Sequence, residues 1–308
     1  MGHHPGDQPT RRALLLLNPN ARRGKVGVET ALDRLKAANI ELVEPPVPDR
    51  DSASEVIVAH AQEADLVIVG GGDGSLNAAA AGLRETGLPF GILPLGTAND
   101  LARTLEIPLD LSRAAQVIVE GERRALDLGV VNEKFYFNVA SVGFSASLAR
   151  NLTKEAKKRW GTLGYGLSAA RLVSQSRPFT VQIDHDGHTE EVRTFQVSVG
   201  NGRHYGGGLV VDETAAPDDG RLDVYSLEVE HWSELLALVP ALRLGTLKRW
   251  KKVRTFSTTE LTIRTRRVHD VNADGDLLTT TPAHFSVRTA AVQVFVPRPG
   301  HWARFPFQ

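Results

Sequence analysis

The chain has 308 residues, of which 42% are hydrophobic and 23% are charged, and these values allow a sizeable core in one large domain or two. Lysine plus arginine and aspartate plus glutamate number 36 each, so the net charge of zero gives no overall attraction to nucleic acid. The absence of cysteine excludes disulfides, zinc–thiolate sites and thiol catalysis.

The N-terminal segment, residues 1–12, is polar and is predicted to be disordered. The apolar run that follows, Ala13 to Leu17, is too short for a signal-peptide core or a membrane span. No later stretch of the sequence reaches the roughly 20 apolar residues that a spanning helix requires. We therefore expect a cytoplasmic protein whose contact with a membrane would be peripheral, at the inner face.

Residues 13–125 alternate strand-like and helix-like segments. Continuously apolar runs such as DLVIVG (65–70) and PFGILPL (89–95) are separated by segments of helical period such as VETALDRLKAA (28–38). Buried strands in this alternation are typical of a parallel sheet with helices on both faces. The sequence therefore predicts a three-layer, Rossmann-like α/β domain over residues 13–125.

The pattern changes near Arg124. Short segments rich in Val, Phe and Thr follow up to residue 297, and dipeptides such as Asp186-Gly187 and Asp219-Gly220 separate them as turns. This pattern is typical of an antiparallel sandwich or barrel over residues 126–297, with helical inserts at about 145–175 and 232–250. Residues 298–308 are expected to form a tail, which could pack back on the first domain.

Three of the apolar runs in the first domain end in polar, turn-forming residues. GGGDGSLN (70–77) and LPLGTAND (93–100) each follow a strand and begin a helix, and the first strand ends at Asn18-Pro19. Ligands of open α/β sheets bind at this edge, where glycines let backbone N–H groups approach a phosphate. We predict that the three loops converge on one ligand, with Asp100 as a helix N-cap. A tight structural turn explains the glycines alone equally well.

Five segments in order closely resemble the diacylglycerol kinase catalytic-domain superfamily, which includes bacterial lipid kinases, sphingosine kinases and ceramide kinases. They are GGGDGSLN, LPLGTANDLART, NVASVGFSA, VGNGRHYGGGLVVDETAAPDDGRLDV and NADGDLLTTTPAHFSV, and the resemblance runs from about residue 13 to 297. It implies an α/β domain of the NAD kinase and diacylglycerol kinase type, followed by an antiparallel β-sandwich. It also implies transfer of the γ-phosphate of ATP, with Mg²⁺, to a lipid hydroxyl of diacylglycerol, phosphatidylglycerol, ceramide or a similar lipid.

The resemblance assigns site residues as well. It implies that ATP is bound by Asn18, Pro19, Asn20, Gly71, Gly72, Asp73, Gly74, Ser75, Leu76, Asn77, Thr97, Asn99 and Asp100. Asp73 is expected to face the nucleotide through magnesium or water, because a carboxylate repels phosphate. The magnesium site would use Asp219 with the backbone carbonyls of Ala216 and Arg221. The general base would be Asp274 or Asp276, and Asp274 is the preferred candidate because the shorter side chain of Asp276 would not reach as far as the family's glutamate.

The chain departs from the family pattern at three positions. Ser75 replaces a threonine but keeps the hydroxyl, and Ala78 stands where relatives often have glutamate. Asp276 replaces the glutamate of the D-G-E motif, which shortens that side chain by one methylene. The Asp276 substitution keeps open a catalytically weak regulator that binds nucleotide or lipid. A second alternative is a soluble-acceptor kinase resembling the NAD kinases, whose strand-end G-G-D-G loop is similar. Without the resemblance, the Asp219 and Asp274 segments would be interpreted as ordinary hairpin turns.

Two basic clusters contain tryptophan: KEAKKRW, which ends at Trp160, and LKRWKK around Trp250. Basic side chains beside an interfacial aromatic suit docking on an anionic bilayer, although such a run is also typical of a solvated helix. The expected partner is therefore a lipid substrate at the membrane surface. No nucleic-acid partner is expected, and the sequence does not define the oligomeric state.

Overall fold

The computed structural model describes residues 10–18, 25–144, 146, 176–202, 204–205, 209–210, 216–235, 238, 246 and 250–298. The chain divides into two compact units, one of Met1–Leu126 with Ala290–Gln308 and one of Asp127–Thr289. No helix among the described residues is long and apolar enough to span a membrane.

The secondary structure follows the order expected from the sequence. The helices are α1 (Lys25–Ala37), α2 (Ala53–Ala59), α3 (Asp73–Thr86), α4 (Asp100–Thr104) and α5 (Leu111–Glu120), with a 3₁₀ turn at Ala61–Glu63. The strands are β1 (Arg11–Leu17), β2 (Ile40–Val43), β3 (Leu66–Gly71), β4 (Phe90–Pro94), β5 (Glu122–Val131), β6 (Lys134–Tyr136), β7 (Val139–Gly143), β8 (Phe179–His185), β9 (His188–Thr194), β10 (Gln196–Gly200), β11 (His204–Tyr205), β12 (Leu209–Val210), β13 (Leu222–Leu227), β14 (Val253–Thr258), β15 (Glu260–Thr265), β16 (Asp270–Ala273), β17 (Asp276–Thr280) and β18 (Ala283–Val296).

The first unit is built on a parallel sheet in the order β2-β1-β3-β4. Every residue of β3 and β4 is buried, which agrees with their continuously apolar sequences. Helix α1 packs on α5, and α2 packs on α3. Ser54 fastens the second pair, because its hydroxyl donates to Ala78 O at 2.6 Å and accepts from Gly82 N–H at 2.9 Å. The predicted α/β domain with a parallel sheet is confirmed.

The boundaries at both ends of the chain differ from those expected. Strand β1 begins at Arg11, inside the segment predicted to be disordered, and residues 1–9 lie outside the described part. The runs 284–289 and 291–297, expected as separate strands of the second domain, form the single strand β18. Its second half belongs to the first unit, where Val294 pairs in parallel with Phe90, because one long strand can pair with different neighbours along its length. The tail beyond residue 298 lies outside the described residues.

The second unit is an antiparallel sandwich. One sheet has the order β14-β13-β10-β7-β16-β17, and the first half of β18 pairs with β15, which continues to β8 and β9. Alternate residues of these strands fill one core, whose largest members include Tyr136, Ile183 and Phe285. The predicted sandwich is confirmed. Of the two predicted helical inserts, the first lies almost wholly outside the described residues, and residues 232–235 of the second are helical.

Candidate functional site

Three strand ends of the first unit meet at one edge of its sheet. Strands β1, β3 and β4 are parallel neighbours, so their carboxyl ends lie side by side. Asn18 N–H donates to Gly70 O at 2.8 Å, and Leu95 N–H donates to Gly71 O at 2.9 Å. The structure therefore brings together the loops that the sequence singled out. Of the first loop, Pro19 and Asn20 lie outside the described residues.

The glycines of two loops allow their backbones to touch. A Cβ atom on Gly72 would lie 2.9 Å from Gly96 Cα, and one on Gly96 would approach Gly72 Cα even more closely. A Cβ on Gly71 would collide with the hydroxyl of Ser75. Close packing therefore requires glycine at these positions, and the same packing leaves an edge of bare backbone at the start of α3.

Side-chain amides hold the polar ends of the loops. Asn18 Nδ2 donates to Ser75 Oγ at 3.3 Å, which joins the end of β1 to the first turn of α3. Asn99, in the left-handed region with φ 52°, closes its own loop. Its Oδ1 accepts from Gly96 N–H and its Nδ2 donates to Gly96 O, both at 2.9 Å. Thr97 is exposed within that loop, so its hydroxyl is accessible.

Two carboxylates at this edge are buried. Asp73 is 8% exposed, and its Oδ1 accepts from Leu101 N–H at 3.1 Å, so Asp73 caps the first turn of α4. Asp100 is also buried, but α4 begins at this residue and Asn99 occupies the N-cap position. The expectation that Asp100 is the N-cap is therefore wrong, because Asp73 supplies the cap from a neighbouring loop.

Two further residues of the glycine loop have different surroundings. Leu76 is 2% exposed and its N–H donates to Gly72 O at 3.2 Å, so its side chain belongs to the core. Asn77 has both side-chain amide atoms buried without a hydrogen-bond partner among the described residues. Such an amide can bind a ligand or water with both its donors and its acceptor.

In the second unit, the Asp219 and Asp274 segments lie at one end of the same sheet. Gly200, at the end of β10, is in register with Val139 of β7 on one side and with Asp223 of β13 on the other. Residues before β13 and before β7 therefore flank the end of β10. The hairpin between β16 and β17 joins this end as well, since Asp274 N–H donates to Val139 O at 3.1 Å.

Backbone N–H groups hold the carboxylate of Asp274. Its oxygens accept from Phe137 N–H at 2.9 Å, from Asn138 N–H at 3.1 and 3.2 Å, and from Val139 N–H at 2.9 Å. Asp274 and Gly275 both have positive φ, 49° and 94°, as a tight hairpin turn requires. The buried Tyr136 lies nearby, and its pKa is well above the usual value because of burial and the Asp274 charge. Asp274 thus anchors the hairpin.

The Asp219 segment is an exposed turn whose backbone is hydrogen-bonded to the buried Asp127. Asp219 Oδ1 accepts from Arg221 N–H at 3.0 Å, and Ala216 N–H also bonds to this carboxylate. The pKa of Asp219 is raised, first by partial burial of its carboxyl group and then by the charges of Asp223 and Asp127, against the lowering by its backbone hydrogen bonds. The buried Asp127 supports the turn, since its Oδ2 accepts from Gly220 N–H at 2.7 Å.

Sequence reasoning did not assign roles to Asp127, Asn138 and Asn201, all of which are buried polar residues of this region. They lie between the Asp219 and Asp274 segments and hydrogen-bond to both sides. The available signal was their place in polar breaks of strand-like runs, in LDLG, FNVA and GNG. Periodicity could not show that these distant breaks meet.

Comparison with known proteins agrees with this architecture. The model of the diacylglycerol kinase catalytic domain matches residues 12–131, and that of the YegS C-terminal NAD kinase beta sandwich-like domain matches residues 138–296. A protein of Mycobacterium tuberculosis named diacylglycerol kinase is 32% identical over 295 residues, covering 92% of this chain and 95% of that protein. A Yersinia enterocolitica protein named probable lipid kinase YegS-like is 31% identical over 292 residues, covering 92% and 96%.

A crystal structure of a diacylglycerol kinase from Bacillus anthracis superposes with a TM-score of 0.71 at 22% identity, covering 94% of this chain and 97% of that one, and supports the fold. The two-domain architecture and the sequence matches define a lipid kinase. The chain belongs to the diacylglycerol kinase catalytic-domain family, with a C-terminal domain of the YegS type.

Proposed function

We propose that the protein transfers the γ-phosphate of ATP, with Mg²⁺, to the hydroxyl of a lipid alcohol such as diacylglycerol, phosphatidylglycerol or ceramide. The observation that carries the proposal is the convergence of three strand ends on the bare backbone of Gly71, Gly72 and Gly96. The relative named diacylglycerol kinase, which matches along 92% of this chain, supports a lipid acceptor.

The ATP phosphates would bind at the start of α3. The N-cap Gly72 provides no side chain to satisfy the first-turn N–H groups of this 14-residue helix. These groups and the helix dipole favour an anion. The amide of Asn77, buried without a partner among the described residues, offers further donors. Asp73 would act mainly by holding α4 in place, since Leu101 N–H already occupies one of its oxygens.

Magnesium would bind at Asp219, whose exposed carboxylate suits a hydrated cation. Mg²⁺ takes oxygen ligands and usually keeps several waters with one or two carboxylates. No three acidic or histidine side chains among the described residues are placed to hold an ion, so carbonyls such as those of Ala216 and Arg221 would complete the site. Repulsion from Asp127 and Asp223 contributes to the raised pKa of Asp219, and a bound cation would relieve it. When bound, the ion would neutralise phosphate charge.

Asp276 would accept the proton of the lipid hydroxyl. Asp274 is the weaker candidate because three backbone N–H groups already orient its carboxylate. Asp276 begins β17 directly after the anchored turn and is partly exposed. General-base catalysis typically contributes about 10²–10⁴-fold, so Asp276→Asn should lower the transfer rate within that range. Asp276→Glu, which restores the family's residue, should keep most of the activity.

The membrane contact would involve Trp232 and Trp250, which are each 41% exposed. Lys252 links their segments, since its Nζ lies 2.9 Å from a Glu234 carboxylate oxygen and 3.5 Å from one of Glu230. These carboxylates offset the charge of Lys252, so the tryptophans rather than Lys252 would carry this contact. The Trp160 cluster lies outside the described residues.

Sedimentation with phosphatidylcholine–phosphatidylglycerol vesicles tests this contact. The double variant Trp232→Ser, Trp250→Ser should bind the vesicles at least about tenfold more weakly than the wild type, because it lacks two aromatic side chains that would be buried in the membrane interface. Val268→Ser, which removes another exposed apolar side chain of the same unit, should bind like the wild type. Equal binding by all three proteins would remove the basis for a tryptophan contact.

The function is tested by incubating the purified protein with Mg²⁺, labelled ATP and either extracted membrane lipids or NAD. Label in a lipid phosphomonoester supports the proposal, whereas label only in NAD would establish the soluble-acceptor kinase. Binding of ATP without transfer to any acceptor would favour the catalytically weak regulator. Omission of Mg²⁺ should abolish the transfer.

A further inference from the structure

We propose that Asn201 is a positioning residue for phosphate transfer, because its side-chain amide joins the segment of Asp219 to the segment that holds Asp274. This inference rests on the function proposed above. Asn201 follows β10, which lies between β7 and β13 in the sheet, and it is 4% exposed. It therefore stands between the two segments by its place in the topology.

The amide of Asn201 donates to both sides. Nδ2 donates to the backbone carbonyl of Asp127 at 3.0 Å and to that of Phe137 at 2.9 Å. The backbone N–H of Asn201 donates to Asn138 O at 2.7 Å. A primary amide has two N–H donors, so each of the two carbonyls takes one of them.

The Asp127 side leads to the proposed magnesium site. Asp127 N–H donates to Pro217 O at 2.8 Å, and its Oδ2 accepts from Gly220 N–H at 2.7 Å. These two hydrogen bonds lie on either side of Asp219 in the chain. Because Asp127 is only 4% exposed, water cannot readily replace it, and its position fixes the backbone of the turn.

The Phe137 side leads to the proposed base. The carbonyl of Phe137 accepts from Asn201, while the N–H of the same residue donates to Asp274 at 2.9 Å. Asn138 is used in the same way, with its carbonyl bonded to Asn201 and its N–H bonded to Asp274. A shift of this backbone would therefore move the hairpin that presents Asp276.

Removal of the amide should uncouple the two segments. Asn201→Ala removes one hydrogen bond from each of the two carbonyls, and Asn201→Asp, of nearly equal size, replaces the donor by an oxygen that repels them. Phosphate transfer needs the cation and the base in one fixed geometry, and a misplacement of about 1 Å can cost about 10²-fold in rate. We expect the turnover number of both variants to fall by about 10–100-fold.

Asn132 provides a matched control in the same unit. Its Nδ2 also donates to backbone carbonyls, those of Thr280 at 3.3 Å and Pro282 at 3.0 Å, and its Oδ1 accepts from His284 N–H at 2.9 Å. These contacts hold the far end of β17 and do not involve the Asp219 turn. Asn132→Ala should lower the melting temperature comparably and leave turnover within about threefold of wild type.

The experiment measures lipid phosphorylation and amide hydrogen exchange on the wild type, the two Asn201 variants and Asn132→Ala. The proposal is supported if the Asn201 variants have a kcat lower by about 10–100-fold and a KM for lipid within about twofold of the wild-type value. Amide hydrogen exchange should also be faster than in the wild type in both residues 136–139 and residues 216–221. The proposal is overturned if Asn201→Ala loses no more kcat than Asn132→Ala, or if exchange rises in only one of the two segments. A wild type that phosphorylates no lipid would refute the proposed function, and the exchange data would still decide whether Asn201 joins the segments.

Discussion

Asp274→Ala tests the role of Asp274 in the second unit directly. The resemblance makes this residue a candidate base, whereas in the structure its carboxylate accepts backbone N–H groups and so holds the hairpin. The substitution removes the carboxylate that accepts from the N–H groups of Phe137, Asn138 and Val139. A hydrogen bond to a charged group contributes about 1.5–3 kcal/mol. Because Asp274 is partly exposed, water replaces part of this contribution, and we expect a loss of about 3 kcal/mol in the free energy of unfolding.

For a unit of this size, that loss corresponds to a fall of about 6–12 °C in melting temperature. The melting temperature is measured by circular dichroism, since the described elements of the second unit are mostly strands. Asp276→Ala is the matched control, and it should lose at most about 1 kcal/mol while losing the activity of the base.

The anchoring role of Asp274 is refuted if Asp274→Ala melts within about 2 °C of the wild type, since three backbone donors cannot lose a charged acceptor without a measurable effect. It is also refuted if Asp276→Ala is the more destabilised of the two. The first result would mean that Asp274 does not hold the 137–139 backbone, and the second that the stability of the hairpin depends more on Asp276.

Three other measurements address further parts of the structure. Tyr136→Phe should raise the free energy of unfolding by about 1 kcal/mol in urea denaturation. The phenol oxygen is buried near Asp274 without a hydrogen-bond partner among the described residues, and a loss of stability would reveal a partner. Gly72→Ala should raise the KM for ATP by about tenfold or more, since its Cβ would lie 2.9 Å from Gly96 Cα, and an unchanged KM would exclude this edge as the phosphate site. Burial lowers the pKa of His269 from its usual 6.5, so the folded state binds a proton less readily than the unfolded state. The free energy of unfolding should therefore fall as the pH drops below 6.5 and through the lowered pKa of the folded state. His269→Gln should flatten this decline in denaturation curves between about pH 5 and 7.5, and a parallel decline in both proteins would assign it to other groups.

The glycine-rich loop shows how far sequence reasoning could go at the candidate site. Its position after a buried strand placed it at the binding edge of a parallel sheet, because that edge is a property of the topology. The sequence did not show that Gly72 and Gly96 are in backbone contact, or that Asp73 caps α4 from another loop. These contacts join residues distant in the chain, and their geometry depends on how neighbouring loops pack.

The sequence by itself determined the two fold classes, since hydrophobic period and turn dipeptides act over a few residues, but it divided β18 into two strands. It also located the segments of Asp219 and Asp274. Only the tertiary structure decided that Asp274 accepts three backbone N–H groups and that Asn201 stands between both segments. The reason is physical: a buried polar group must find its partner within hydrogen-bonding distance, and that distance is set by strand pairing across the whole sheet.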